Sequence, residues 1–225
     1  MQNMGIEVLF KGNNFLRLLE GLWITFQIAI IAMVLSVVFG LLMGIIMNSK
    51  NKIIVVICNV YLEMVRIMPQ LVLLFLVYFG AAKHLGVNVS GEISAVMAFT
   101  FWGVAEIGDL VRSAFISISK HQYESGYSLG LKKSQIYRYI IFPQAIKRLL
   151  PSIINLFTRM IKTTSLVAFI GVVEVVKVGK QVIDASRYTN PTGALWVYGT
   201  IFLLYFAICF PFSRLSARLE KTYGW

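Results

Sequence analysis

Gly21 to Ser49 reads GLWITFQIAIIAMVLSVVFGLLMGIIMNS, twenty-nine residues without an Asp, Glu, Lys, Arg or His. A helix rises about 1.5 Å per residue and the hydrocarbon core of a bilayer is about 30 Å thick, so about 20 apolar residues cross it. The run is too long for the apolar region of a secretory signal, about 7 to 15 residues. The flank before it, with Glu7, Lys11, Arg17 and Glu20, is charge-neutral where a signal would be basic. The stretch predicts a first membrane helix over about 22–47.

The rest of the chain fits the same solvent. Of 225 residues, 58% are hydrophobic and 14% charged, with mean hydropathy +0.76, whereas a soluble domain carries about a quarter charged residues. The predicted class is all-α: an integral membrane helical bundle of about five transmembrane helices, one transmembrane domain over 1–225. After the basic turn Asn48 to Lys52, Ile53 to Ala82 is apolar apart from Glu63 and Arg66, and Pro69 predicts a kinked second span over about 53–80. Lys83 to Glu92 is a polar loop, and a third span follows over about 93–117. The segment 119–148 holds Lys120, Lys132, Lys133, Arg138, Lys147 and Arg148 against Glu124 and is too charged to cross. Spans over about 149–173 and 192–213, separated by the polar stretch Glu174 to Pro191, complete the set.

The net charge of +11 comes from 21 Lys+Arg against 10 Asp+Glu. The basic residues lie in short segments between apolar runs, which is the positive-inside pattern and not a nucleic-acid patch. With the N-terminus outside, eleven Lys and Arg fall on inner segments and six on outer ones, so a cytoplasmic C-terminus is expected. Cys58 and Cys209 lie inside apolar segments and read as small core residues. There is no HExxH, no metal-ligand cluster and no GxSxG. At Gly179-Lys180 the position five before is Glu174 and the next residue Gln181, so no nucleotide loop is present. Neither catalysis nor a cofactor is expected in this chain.

The inner segment reads Tyr123-Glu124-Ser125-Gly126-Tyr127-Ser128-Leu129-Gly130, then nine residues, then Ile140-Ile141-Phe142-Pro143. It resembles the cytoplasmic motif of ABC-importer permeases, E-A-A, three residues, G, nine residues, I-x-L-P. Glu124, Gly130, Ile140 and Pro143 fit its anchors, Ser125 and Gly126 stand for the alanines, and Phe142 for leucine. Leu19 to Gln27, Glu63 to Pro69, Pro143 to Ala145 with Pro151, and Lys162 to Leu166 extend the likeness to the polar amino-acid permeases of the histidine and glutamine type. Glu106 departs from it, standing where that family has an aromatic residue, and so does Ser119, where proline is common.

The resemblance implies the type I importer permease fold, import of polar or charged amino acids, and a multi-pass protein of the bacterial cytoplasmic (inner) membrane. It further implies a homodimer or a heterodimer with a related permease, two cytoplasmic ABC ATPase subunits carrying ATP and Mg, and an extracytoplasmic amino-acid-binding protein. Glu124, Ser125, Gly126, Gly130, Ile140 and Pro143 would form the ATPase-coupling loop. Without the family, glycines at 126 and 130 allow close approach and chain reversal, and Leu129, Leu131, Ile136 and Tyr137 offer apolar contacts beside basic residues. An ordinary basic loop lying on anionic lipid is the plainer reading of that composition.

Ionisable side chains within spans face a bundle interior or a wet cavity. Glu63 and Arg66, and Asp109 and Arg112, are three apart and share a helix face, which suits ion pairs near the inner surface. Glu106, a turn deeper than Asp109, reads either as a cavity residue attracting a substrate cation or as a hydrogen-bonding group to a neighbouring span. Arg66, beside the Pro69 break, offers a planar fork to a carboxylate. Thr164 and Ser165 offer hydroxyls to a zwitterion or to a neighbouring helix. The substrate-binding candidates are therefore Glu106, Arg66, Thr164 and Ser165. An ATP-independent channel or pore subunit is the competing reading, and it leaves the 124–143 spacing as coincidence.

Overall fold

Prolines and long apolar runs set where the helices start and stop. The computed structural model describes residues 5–49, 51–85 and 89–223. Lys50, residues 86–88 and the side chains of Lys83 and His84 lie outside the described residues. In chain order the helices are α1 (Glu7–Phe10), α2 (Asn14–Met47), α3 (Lys52–Ile67), α4 (Gln70–Leu85), α5 (Gly91–Ile116), α6 (Lys120–Ser128), α7 (Lys133–Ile136), α8 (Phe142–Thr163), α9 (Val175–Ser186) and α10 (Gly193–Tyr223). A π-helical turn, Tyr137–Ile141, joins α7 to α8, and a 3-10 segment, Thr164–Ile170, continues α8. Among the described residues there is no strand, as the all-α expectation requires.

Four stretches are long and apolar enough to cross a membrane: Asn14–Met47, Gly91–Ile116, Lys133–Ile170 and Gly193–Tyr223. The bent pair Lys52–Ile67 and Gln70–Gly80 makes a fifth when taken as one span. Where the sequence reads a kink, the chain is broken: Met68 lies at φ −72°, ψ 128°, because the ring of Pro69 excludes the helical region for the residue before it. The segment 119–148, read as a loop, is mostly helical, and no break falls at Leu149. Helix runs on from Lys133 through the fourth span, with Pro151 inside it. Charge excluded this segment from hydrocarbon without excluding helix.

The chain forms two compact units, whose boundaries fall within several of the long helices. The first comprises Met1–Ala32, Gln70–Phe99 and Thr158–Pro211. Its core joins Val8 and Leu18 to Val175, Val178 and Val182 of α9 and to Val197 and Ile201 of α10. The buried positions of α9 include 175, 178, 179, 182 and 186, the stripe of an amphipathic helix. The second unit comprises Met33–Pro69, Thr100–Phe157 and Phe212–Trp225. In it Gly40 and Gly44 of α2 face α5, and a Cβ at Gly40 would come within 2.6 Å of Ile107. This GxxxG spacing lets the two backbones approach, the usual packing of helices in lipid.

Candidate functional site

The motif segment Lys120 to Pro143 is built by two glycines and a proline. At the end of α6, Gly130 N–H donates to Tyr127 O (2.9 Å) and Leu131 N–H to Gly126 O (3.1 Å), with Gly130 at φ +74°. That is a Schellman turn, whose left-handed position glycine occupies without strain. Gly126 has a different task. A Cβ there would lie 2.8 Å from Ile136 Cγ1 and 3.3 Å from Ile140 Cδ1, so its absence lets α6 lie flat on α7 and the π turn. At the far end Phe142 N–H donates to Tyr137 O, five residues back. Pro143 follows with no N–H to return the chain to the ordinary register. Gln144 Nε2 ties the two arms, reaching Gln122 Oε1 at 3.1 Å and Ile140 O at 3.0 Å.

The motif thus divides into residues that shape the segment and residues that face outward. Gly126 is buried, and Ser125 and Ile140 are half-buried. Glu124 and Pro143 are exposed, and Glu124 pairs with Lys120 one turn earlier, at 3.2 Å, a surface ion pair of little energetic weight. Of the apolar side chains expected to offer contacts, Ile136 is instead a core residue and Leu131 and Tyr137 pack against it, because the Schellman turn folds them inward. Leu129, Tyr127 and Tyr139 carry the exposed apolar surface. Burial, together with the adjacent Tyr137 hydroxyl, pushes the Tyr123 phenol above its ordinary value.

In the same unit, Asp109 is shared between two arginines. Arg66 Nη2 of α3 donates to Oδ2, while Arg112 Nε and Nη2 donate to Oδ1 at 3.2 and 2.7 Å. Glu63 stands 4.0 Å from Arg66 Nη1. The i,i+3 spacing found Asp109–Arg112; the link from α3 to α5 needed the fold. Glu106 is half-buried on α5, one turn before Asp109. Thr164 and Ser165 belong to the other unit. Thr164 is fully buried and its hydroxyl donates to Ile161 O at 2.7 Å, while Ser165 Oγ donates to Lys162 O at 2.9 Å. Both hydroxyls close the turn where α-helix tightens to 3-10.

Sequence reading passed over Glu174, placing it in a polar outer stretch. It is fully buried. Its Oε1 accepts from Lys177 N–H at 2.9 Å, capping α9. Thr25 Oγ1 of α2 lies 3.2 Å from Glu174 Oε2 and 3.1 Å from Gly21 O. Gly21 makes the crossing possible, since a Cβ there would stand 2.8 Å from Val175 N. No ion pair to Glu174 occurs among the described residues. Burial pushes its carboxyl up, and the hydrogen bonds from backbone N–H groups and Thr25 offset this only in part. The signal available in sequence was the apolar stripe of α9 directly after an acid at the N-cap position.

Residues 36–224 match the family described as binding-protein-dependent transport system inner membrane component. A probable glutamine ABC transporter permease of Bacillus subtilis (strain 168) is 30% identical over 89% of this chain and 91% of its own length. A probable amino-acid ABC transporter permease of the same organism is 32% identical over 94% and 91%. Among solved structures, an amino acid ABC transporter crystallised with histidines superposes with TM-score 0.82 at 28% identity, over 92% of this chain and 94% of that one. With its helical spans and its motif-built segment 120–143, the chain belongs to the binding-protein-dependent transport system inner membrane components and is a membrane-spanning permease subunit of an ABC transporter.

Proposed function

We propose that this permease imports a polar or charged amino acid across a bacterial cytoplasmic membrane, with its N-terminus outside and its C-terminus in the cytoplasm. It pairs with a second permease, identical or related. Two ATPase subunits, which hold ATP and Mg, dock on the segment around Glu124 to Pro143, and an extracytoplasmic protein delivers the substrate. The observation that carries this reading is the division of the coupling segment: Gly126, Gly130, Ile136 and Ile140 fix its shape, while Leu129, Tyr127 and Tyr139 remain exposed beside Lys132 and Arg138. An apolar centre ringed by cations is a docking surface in composition. The names of the relatives, glutamine and amino-acid permeases, support the substrate class.

ATP binding closes the ATPase pair, the docked segments follow, and the permeases exchange inward-open for outward-open arrangements. The delivered substrate biases this exchange only through its differential affinity for the two states. Glu106 attracts the substrate cation. The Arg66 fork receives the carboxylate in exchange for Asp109.

The test is ATP hydrolysis by the permease with its ATPase in lipid, with binding protein and a panel of amino acids. Stimulation by one amino acid is expected, and Glu106→Gln selectively weakens the response to cationic ones. Conductance without any ATPase complex would replace this reading with a passive pore.

A further inference from the structure

A cavity of about 410 Å3 opens beside the coupling segment, within the second unit. Ile45 and Asn48 at the end of α2, Phe115 and Ile116 at the end of α5, and Tyr123, Tyr137 and Phe142 line it. Edge-to-face contacts hold the aromatic wall: Tyr123 to Tyr137 at 5.9 Å, Tyr137 to Phe142 at 6.0 Å and Phe142 to Phe115 at 5.6 Å between ring centroids. Such pairs prefer defined geometry, so the wall is a built surface. Its size and lining are those of small-ligand sites, largely apolar with a few polar groups.

Asn48 Nδ2 donates to Gly44 O at 2.9 Å; the rest of that amide and two phenols form the polar edge of a lining whose other members, Ile45, Phe115, Ile116 and Phe142, are apolar. An apolar occupant fits better, and the location says which kind. Ile45 and Ile116 belong to candidate spans, and Asn48 is the first residue past α2. Ile116 is 65% exposed, so the mouth opens where a span ends and lipid headgroups begin. Lys133 Nζ stands 6.0 Å over the ring of Tyr137, one of the lining residues, and Lys52 opens α3 just after Asn48. Cations at the inner end of a span attract anionic headgroups.

We propose that this cavity binds one acyl chain of an anionic phospholipid, whose headgroup rests on Lys133. The bound chain touches the ends of α2 and α5 and the coupling aromatics together, so it favours the arrangement of the segment in which the cavity is formed.

The full chain, purified in detergent, is titrated with phosphatidylglycerol or phosphatidylcholine of matched chains. Phosphatidylglycerol is expected to raise Tm by about 5 °C where phosphatidylcholine does not, and native mass spectrometry is expected to retain one phosphatidylglycerol. Ile116→Trp fills the cavity from its exposed side and abolishes that retention. Lys133→Gln, a change on the surface, reduces the preference for phosphatidylglycerol at least tenfold. Equal stabilisation by the two lipids, retention by I116W, or an unchanged preference in K133Q would each overturn the proposal.

Discussion

Asp109 and Glu174 are both carboxylates set among apolar helices, and the protein satisfies them in opposite ways. Asp109 sits between two guanidiniums that are themselves partly exposed, 46% for Arg66 and 36% for Arg112. Glu174, among the described residues, meets hydroxyl and backbone groups and is fully buried. Set between two guanidiniums, Asp109 links α3 to α5 as an ion cluster. An acid given only neutral donors holds its place by hydrogen bonds and gains from keeping its proton. One site is therefore sensitive to losing charge balance, the other to losing a particular oxygen.

The largest effect follows at Asp109. Asp109→Ala removes the carboxylate that two guanidiniums share, leaving Arg66 its long contact to Glu63 and Arg112 without Asp109. The expected loss is about 3 kcal/mol, at the low end for a stranded charge because both arginines reach water. Arg66→Ala removes one partner while Arg112 keeps the other, and the expected loss is about 1 kcal/mol. Thermal denaturation of the two variants in one detergent compares them. Equal losses would mean that Asp109 is held by one arginine alone.

Glu174 gives the intermediate effect, with a pH signature. Glu174→Ala removes the cap of α9 and the contact with Thr25, an expected loss of about 2 kcal/mol, whereas Glu174→Gln keeps an oxygen for Lys177 N–H. The folded carboxyl titrates above its ordinary value of 4.5, so the folded chain holds a proton that the unfolded chain has lost. That contribution is complete below the ordinary value and disappears as pH rises through the folded one. The wild-type Tm, followed upward from pH 4.5, should fall relative to that of E174Q. A rise instead would place a cation beside Glu174 and erase the contrast with Asp109.

How far these features could be read in advance depends on the distance over which each is encoded. Membrane spans are long and one-dimensional, so composition and the 21–49 run were enough. The motif turn is local as well: Gly126 and Gly130 act within fourteen residues, and the spacing of Glu124, Gly130, Ile140 and Pro143 carried the reading. Pro69 announced a disruption but not its extent, since one residue sets the break while packing sets the angle. Arg66 to Asp109 spans 43 residues and Thr25 to Glu174 spans 149, and no periodicity reports on a pairing between separate helices. Glu174 was passed over for a further reason. The polar residues on the exposed side of α9 outvoted its valine stripe when the segment was read by composition alone.

The smallest effect tests the local end of that scale. At Gly130 no atom lies within 4 Å of an added Cβ, so space is not the constraint and only the backbone conformation is. Gly130→Ala should therefore cost about 1 kcal/mol, the strain of a left-handed residue with a Cβ. Gly130→Asn should cost less, since asparagine tolerates that region. At Gly126 the order reverses, because Ile136 occupies the space and asparagine is the larger intruder. Matching alanine and asparagine variants at both positions, followed by thermal denaturation, separates the two causes. If asparagine were worse than alanine at Gly130 as well, the turn would be limited by contacts beyond the Schellman geometry, and the motif's spaced glycine would owe its place to packing and not to handedness.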